Sequence, residues 1–237
     1  MKSVVLFSGG IDSTTALAWA KARSSEVHAL TIDYGQRHRI EVAMSRRTAR
    51  RMGVPQTVLK IDLARFGGSA LTNPAAALPR CRKPSDIAPG PPSTYVPFRN
   101  GVLLSLAISF AEARGFDTVV TGFNVVDSPD YPDTRPEFVR AMNAAVKAGT
   151  RAASGGPRIR IVAPFVRLRK SAIIRLGLEL GADYSRSITC YFGTEAPCGT
   201  CSACVLRRRA FAEAGTPDPL VERLEMKNKD GKKEGRP

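Results

Sequence analysis

The 237-residue chain contains no apolar run approaching the ~20 residues that a membrane span requires. Its first residues pass straight into a short strand-like run, without the charged and apolar regions of a secretory leader, so a cytoplasmic protein with no membrane association is expected. The length excludes two full-sized domains and points to one main core. Acidic side chains are scarce: 21 Asp and Glu stand against 36 Lys and Arg, a formal net charge of +15. That excess suits nucleic acid in amount, yet no RNA-reading motif accompanies it. Part of it lies in the tail from Lys227 to Pro237, which reads as disordered and solvated. Arg46-Arg47, Arg50-Arg51 and Arg207-Arg208-Arg209 read as solvated helix faces. An anionic nucleotide draws on the same positive field, so a small nucleotide is preferred to stable nucleic-acid binding. There is no disulfide framework either, because four of the five cysteines crowd into residues 190–204 of a chain read as cytosolic.

What is present begins near the N terminus. Val4-Val5-Leu6-Phe7 is a strand-like apolar run that ends in Ser8-Gly9-Gly10-Ile11-Asp12-Ser13-Thr14-Thr15, and Ala16-Leu17 open a helix-forming segment. Gly9 and Gly10 allow positive φ and close backbone approach, so successive N–H groups can converge on one anion. The helix adds its unpaired N–H groups and the positive end of its dipole, and Ser8, Ser13 and Thr14 add hydroxyls. A phosphate suits this arrangement. The alternative is an ordinary N-cap at Asp12 or Ser13; the complete strand-turn-helix pattern favours phosphate. No Gly-Lys-Ser/Thr closes the loop, which excludes a Walker loop.

Strand and helix then alternate. Strands are expected over residues 26–33, 56–61, 118–121 and 159–162, and helices over about 39–52, 101–114, 137–148 and 170–180. Together with the first strand they predict an α/β fold with a doubly wound, mainly parallel five-stranded sheet, whose ligands bind beyond the carboxyl ends of the strands. Residues 62–97, with Pro74, Pro79, Pro84, Pro89, Pro91 and Pro92, read as an irregular insertion forming a lid over the substrate. Cys81 within it reads as a bystander, and His28, in mid-strand, as a core or sheet-surface histidine. The ligand edge carries Asp33-Tyr34-Gly35-Gln36-Arg37-His38, Arg99-Asn100 at a helix start, and the stretch from Gly122 to Arg135. Arg169-Lys170-Ser171, at another helix start, suits phosphates or mere capping.

Cys190-x7-Cys198-x2-Cys201-x2-Cys204 is the second dense motif. Four thiolates in a cytosolic chain suit one tetrahedral zinc ion, with an iron–sulfur cluster as the competing occupant, since thiolates alone do not choose between them. With no open position the metal is expected to be structural. It would organise a C-terminal subdomain over residues 187–226, apart from the main domain at 1–186.

The Ser-Gly-Gly-x-Asp-Ser loop resembles the PP-loop of the ATP pyrophosphatases. Within that superfamily, Asp33 to His38 resembles the Asp-Tyr-Gly-Gln-Arg-His segment of the 7-cyano-7-deazaguanine synthase family, and Val96 to Asn100 its Val-Pro-Gly-Arg-Asn stretch, with Phe98 in place of glycine. Asp127, Tyr131, Pro132, Asp133 and Arg135 match its Asp-x-Ser-Gly-Tyr-Pro-Asp-Cys-Arg loop, with departures at Pro129, Asp130 and Thr134. The cysteine spacing, flanked by Ser187, Thr189 and Tyr191, resembles its C-terminal site, so the resemblance runs from Val4 to about Ala214.

The resemblance implies an adenine-nucleotide alpha hydrolase-like fold and the use of ATP with Mg²⁺. ATP would activate the carboxylate of 7-carboxy-7-deazaguanine, ammonia would give the amide, and a second activation would leave the nitrile. It implies that Phe7 to Leu17 (Phe7, Ser8, Gly9, Gly10, Ile11, Asp12, Ser13, Thr14, Thr15, Ala16, Leu17) and Asp33 to Gln36 border the nucleotide, with Asp12 orienting Mg²⁺. Ser8, Asp12, Ser13, Asp127 and Asp133 become catalytic candidates; Arg99, Asn100, Gly122, Asn124, Asp127, Tyr131, Asp133 and Arg135 become substrate candidates. The loop departures fall where the family contacts its base, so a related carboxylate or an amide end point is one alternative. A tRNA-modifying adenylating enzyme is another, although no tRNA-binding domain accompanies the loop. Apolar faces on the helix of the cysteine region point to a homodimer.

Overall fold

The computed structural model describes residues 1–87, 89–127 and 130–234, the last five as backbone alone. Five strands, β1 (Lys2–Leu6), β2 (Glu26–Asp33), β3 (Gln56–Lys60), β4 (Thr118–Val120) and β5 (Arg160–Val162), form one parallel sheet in the order β3-β2-β1-β4-β5. The crossovers are α1 (Ile11–Lys21), α2 (Ile40–Arg51), α3 (Arg99–Arg114) and α4 (Pro136–Gly149), and α5 (Lys170–Glu179) follows the last strand. Strand order reverses between β1 and β4, which opens a crevice beyond their carboxyl ends.

The apolar runs of the strands reflect cover on both faces. Val4 packs with Leu30, Leu104, Phe116 and Val119 on the side of α3 and α4. Its neighbour Val5, pointing the other way, packs with Phe7, Leu17, Val120 and Ile173 on the side of α1 and α5.

The insertion holds only short 3₁₀ turns at Leu63–Phe66 and Pro84–Asp86 among its described residues. Side-chain and backbone bonds tie it down instead: Arg37 donates to the carbonyls of Ala70, Asn73 and Ala76, and the Ala70 N–H to Ser93 O at 2.8 Å. Cys81 is buried, and its N–H donates to Thr200 O at 2.7 Å, so it lies alongside the cysteine-rich knuckle rather than apart from it.

Two expectations change at the C terminus. Arg207 is only 2% exposed, although its Arg-Arg-Arg run reads as a solvated face. It lies on the inner side of α6 (Ser202–Ala214), where its guanidinium makes a fork with Asp218 at 2.5 and 2.7 Å and donates to Ser187 O at 2.6 Å. A buried guanidinium is tolerated because its donors are matched by a carboxylate and a carbonyl. The charged tail is helical through residue 234, as part of α7 (Pro219–Glu234), which docks through Leu220 against Met44 and Ile188. Residues 235–237 of the expected tail lie outside the described residues.

Candidate active site and metal centre

The first turn of α1 builds one wall of a cavity of about 340 Å³ at the carboxyl ends of β1, β2 and β4. Gly10 is the N-cap of α1 and provides no side-chain cap, so the leading N–H groups of the helix remain available to a ligand. Ser8 and Ser13 hydroxyls lie 3.2 Å apart; Ser13 Oγ accepts the Gly9 N–H at 3.1 Å and Ser8 Oγ the Gly10 N–H at 3.3 Å. Gly9 sits at φ +85, and a Cβ there would meet Ser45 Cβ at 3.0 Å, so α2 packs directly under the loop. Gly122 is required for a similar reason: a Cβ would lie 2.7 Å from the Asp12 carbonyl.

Phe7, Ser8, Gly10, Ile11, Asp12 and Ser13 border the cavity, whereas Gly9, Thr14, Thr15, Ala16 and Leu17 do not. Thr15 Oγ1 is 2.6 Å from the hydroxyl of Tyr184, and Ala16 and Leu17 are core residues. At the end of β2, Tyr34 borders the cavity; Asp33, Gly35 and Gln36 sit behind it. Asp33 Oδ1 accepts the Gly35 N–H at 3.3 Å and lies 3.7 Å from Arg39.

Arg99 opens α3 and is buried at the cavity wall. Its guanidinium donates to the Tyr34 hydroxyl at 3.1 Å and to Asn100 Oδ1 at 3.5 Å, while Nε is buried without a partner. Burial disfavours its charge, but the Tyr34 hydroxyl and nearby Asp133 together hold its pKa above the ordinary value. Gly122, Asn124 and Tyr131 also line the cavity.

Asp127, Asp133 and Arg135 do not border it. Asp127 Oδ2 accepts the Lys170 N–H at 2.6 Å, at the start of α5. Asp133 Oδ2 accepts the Asn100 N–H at 3.0 Å, at the start of α3, and its Oδ1 is buried and unpartnered. Both carboxylates sit where helix dipoles favour negative charge. Of the loop departures, Thr134 borders the cavity, Asp130 does not, and Pro129 lies outside the described residues.

Sequence reasoning left Lys170 undecided and did not select Tyr191, Glu41 or Thr94 as cavity residues, yet all four line the cavity. Lys170 Nζ lies 2.5 Å from Asp12 Oδ2, while Asp12 Oδ1 is buried without a partner. Its position at the start of a helix after an edge strand was the one available signal.

Beside the cavity, the sulfurs of Cys190, Cys198, Cys201 and Cys204 lie within 4.8 Å of one another. Cys198 and Cys204 sulfurs are 3.9 Å apart, close to the ~3.8 Å expected between thiolates around tetrahedral zinc. The N–H groups of Thr200 and Cys201 donate to Cys198 Sγ at 3.4 and 3.3 Å. Burial opposes ionisation of Cys198, but these backbone bonds outweigh it and its thiol pKa is lowered. Four thiols converging with amide donors suit a closed structural zinc site. The knuckle carries Thr189 and Tyr191 into the cavity wall.

A Ser-Gly-Gly-x-Asp-Ser cradle at the switch point of a 3-2-1-4-5 parallel sheet defines a PP-loop nucleotide-binding protein. The same fold occurs in a 4-thiouridine synthetase solved as an RNA complex with bound ATP, with a TM-score of 0.51 and 19% identity over 94% of this chain and 52% of that one. Residues 2–215 match the family described as "Queuosine biosynthesis protein QueC", and the chain belongs to that family. It is 48% identical to the 7-cyano-7-deazaguanine synthase of Anaeromyxobacter dehalogenans, over 92% of this chain and 94% of the relative. Identity to the 7-cyano-7-deazaguanine synthase of Nostoc punctiforme is 44%, over 93% and 99% of the two chains.

Proposed function

We propose that this protein is an ATP-dependent synthase that converts 7-carboxy-7-deazaguanine and ammonia to 7-cyano-7-deazaguanine in the cytoplasm. One observation carries the reading: a single cavity joins a phosphate cradle at Ser8 to Ser13 with a buried cation, Arg99, that has no carboxylate ion pair among the described residues. A carboxylate becomes electrophilic when one oxygen is turned into a phosphate leaving group. In this reading the loop N–H groups, Ser8, Ser13 and Lys170 hold the phosphates, and Arg99 seats the substrate carboxylate beside the α-phosphorus. The unpartnered Asp12 Oδ1 suits Mg²⁺, which when bound neutralises phosphate charge. Asn100, Asn124 and Tyr131 form the wall for the base, with Gly122 permitting close approach. Asp127 and Asp133 act by holding the starts of α5 and α3. The homodimer expected from the helix of the cysteine region lacks that support, because the apolar side chains of α6, Val205, Ala210 and Phe211, are buried within the chain. No helix among the described residues is long and apolar enough to cross a membrane.

The test is mass spectrometry of the zinc-loaded protein incubated with 7-carboxy-7-deazaguanine, ATP, Mg²⁺ and ammonium, beside a control without ATP. ATP-dependent nitrile is expected. Neither nitrile nor amide would overturn the substrate assignment. Amide alone would favour the second reading, an amide end point, which the altered residue Thr134 at the cavity wall supports.

A further inference from the structure

Behind Tyr34 lies a polar cluster that the phosphate chemistry does not use. Glu41, in the first turn of α2, and His38 both border the cavity, with side chains only 11% and 8% exposed. Glu41 Oε2 lies 3.2 Å from His38 Nε2, and Glu41 Oε1 accepts from Gln36 Nε2 at 2.9 Å. Gln36 Oε1 in turn accepts the Tyr34 N–H at 2.8 Å, which fixes the amide and hence the carboxylate. A carboxylate at Nε2 keeps the hydrogen of a neutral imidazole there and leaves Nδ1 as the acceptor. His38 Nδ1 is buried and has no hydrogen-bond partner. The chain has two histidines, and the other, His28, bonds Thr57 and packs on Phe110 away from the cavity. An imidazole with a carboxylate on one nitrogen and nothing on the other, at the wall of a reaction cavity, is arranged as a general base.

We infer that His38 accepts the protons released by the nitrogen nucleophile, with Glu41 as its positioning residue; this rests on the synthase reading above. As the ammonia lone pair forms the C–N bond, the C–O bond to AMP breaks and its electron pair leaves with AMP. The surplus proton on nitrogen passes to His38 Nδ1. In the second round the amide oxygen displaces pyrophosphate from ATP, and the two protons left on nitrogen depart in succession. The last leaves as the C–O pair goes with AMP and the C≡N bond is completed. Both rounds thus need a base at the same nitrogen. Glu41 from α2 and Tyr191 from the cysteine segment face the imidazole, the latter at 6.2 Å between ring centroids. Arg37 is turned to carbonyls of the insertion and Arg39 to Asp33.

Carboxylate-dependent exchange of pyrophosphate into ATP reports adenylation without ammonia, and amide formation reports entry of nitrogen. His38→Gln is expected to change exchange by less than about threefold and to lower amide and nitrile formation about 100-fold, the usual scale for a lost general base. Hydroxylamine is a weaker base than ammonia, so its adduct loses the surplus proton from nitrogen more readily without a protein base, and it is expected to restore acyl transfer as the hydroxamate. Glu41→Gln is expected to slow the same step less and to shift its pH profile. His38→Asn, smaller and unable to strain the site, repeats the test should His38→Gln fold poorly. Unchanged amide formation, exchange falling in parallel with it, or no restoration by hydroxylamine would overturn the role of His38. Absence of carboxylate-dependent exchange in the unsubstituted protein would overturn the synthase reading, and this assignment with it.

Discussion

Lys170 Nζ lies 2.5 Å from Asp12 Oδ2, joining the first turn of α5 to the first turn of α1 across 158 residues of sequence. The pair leaves Asp12 Oδ1 unengaged and places an ammonium beside the Ser-Gly-Gly cradle. Lys170→Met and Asp12→Asn are each expected to lower ATP-dependent turnover by about 10²–10³-fold, since charge stabilisation at a phosphate is lost. AMP release measured at saturating substrate checks this, with circular dichroism confirming an intact fold.

Cys198 belongs to the four-sulfur cluster and Cys81, although buried beside the knuckle, does not. Cys198→Ser is expected to abolish stoichiometric zinc and lower Tm, and Cys81→Ser to retain one zinc per chain. Elemental analysis of the purified variants decides. Turnover should fall with zinc, because Thr189 and Tyr191 reach the cavity from the same segment.

Arg99→Lys replaces a planar fork by a point charge at a buried wall. If Arg99 seats the carboxylate, KM for the carboxylate substrate should rise about 10- to 100-fold, the scale of one charged hydrogen bond. KM for ATP should remain within a few-fold. Steady-state kinetics with each substrate varied separately distinguishes this from general loosening of the site.

Phe98 is the one non-glycine residue with positive φ among the described residues, at φ 50 and ψ 22. Its ring meets Phe138 edge-on at 6.0 Å. Phe98→Ala and Phe98→Gly both lose that contact, but only glycine relieves the left-handed strain. The glycine variant is therefore expected to be about 1 kcal/mol more stable than the alanine variant by denaturant unfolding.

Burial, and then the charge of Arg114, lower the pKa of His28, against a weaker opposing effect of Glu26. The unfolded chain therefore takes the proton more readily, and acidification through the unfolded value of about 6.5 favours unfolding. The stability present above that pH is lost below it. His28→Gln should reduce the fall in Tm between pH 7.5 and pH 5.5, measured by thermal melts in matched ionic strength.

Strand periodicity, the Ser8 to Ser13 loop and the Cys190 to Cys204 spacing were legible in the chain because each is local: the backbone conformation and the donor set lie within a few residues. The alternation of strands and helices foretold the parallel sheet for the same reason, and the family resemblance extended it to nearly the whole chain. Tertiary packing decided the rest. Arg207 is buried because Asp218 and Ser187 converge on it, which a run of three arginines does not disclose. Asp127 and Asp133 turned to the starts of α5 and α3, since a carboxylate beside unpaired helix N–H groups gains more there than in an open cavity. Lys170 came to Asp12, and Tyr191 to His38, only once the sheet set their elements side by side. Residue types state what chemistry is available; which groups share one cavity depends on long-range contacts that no local pattern encodes.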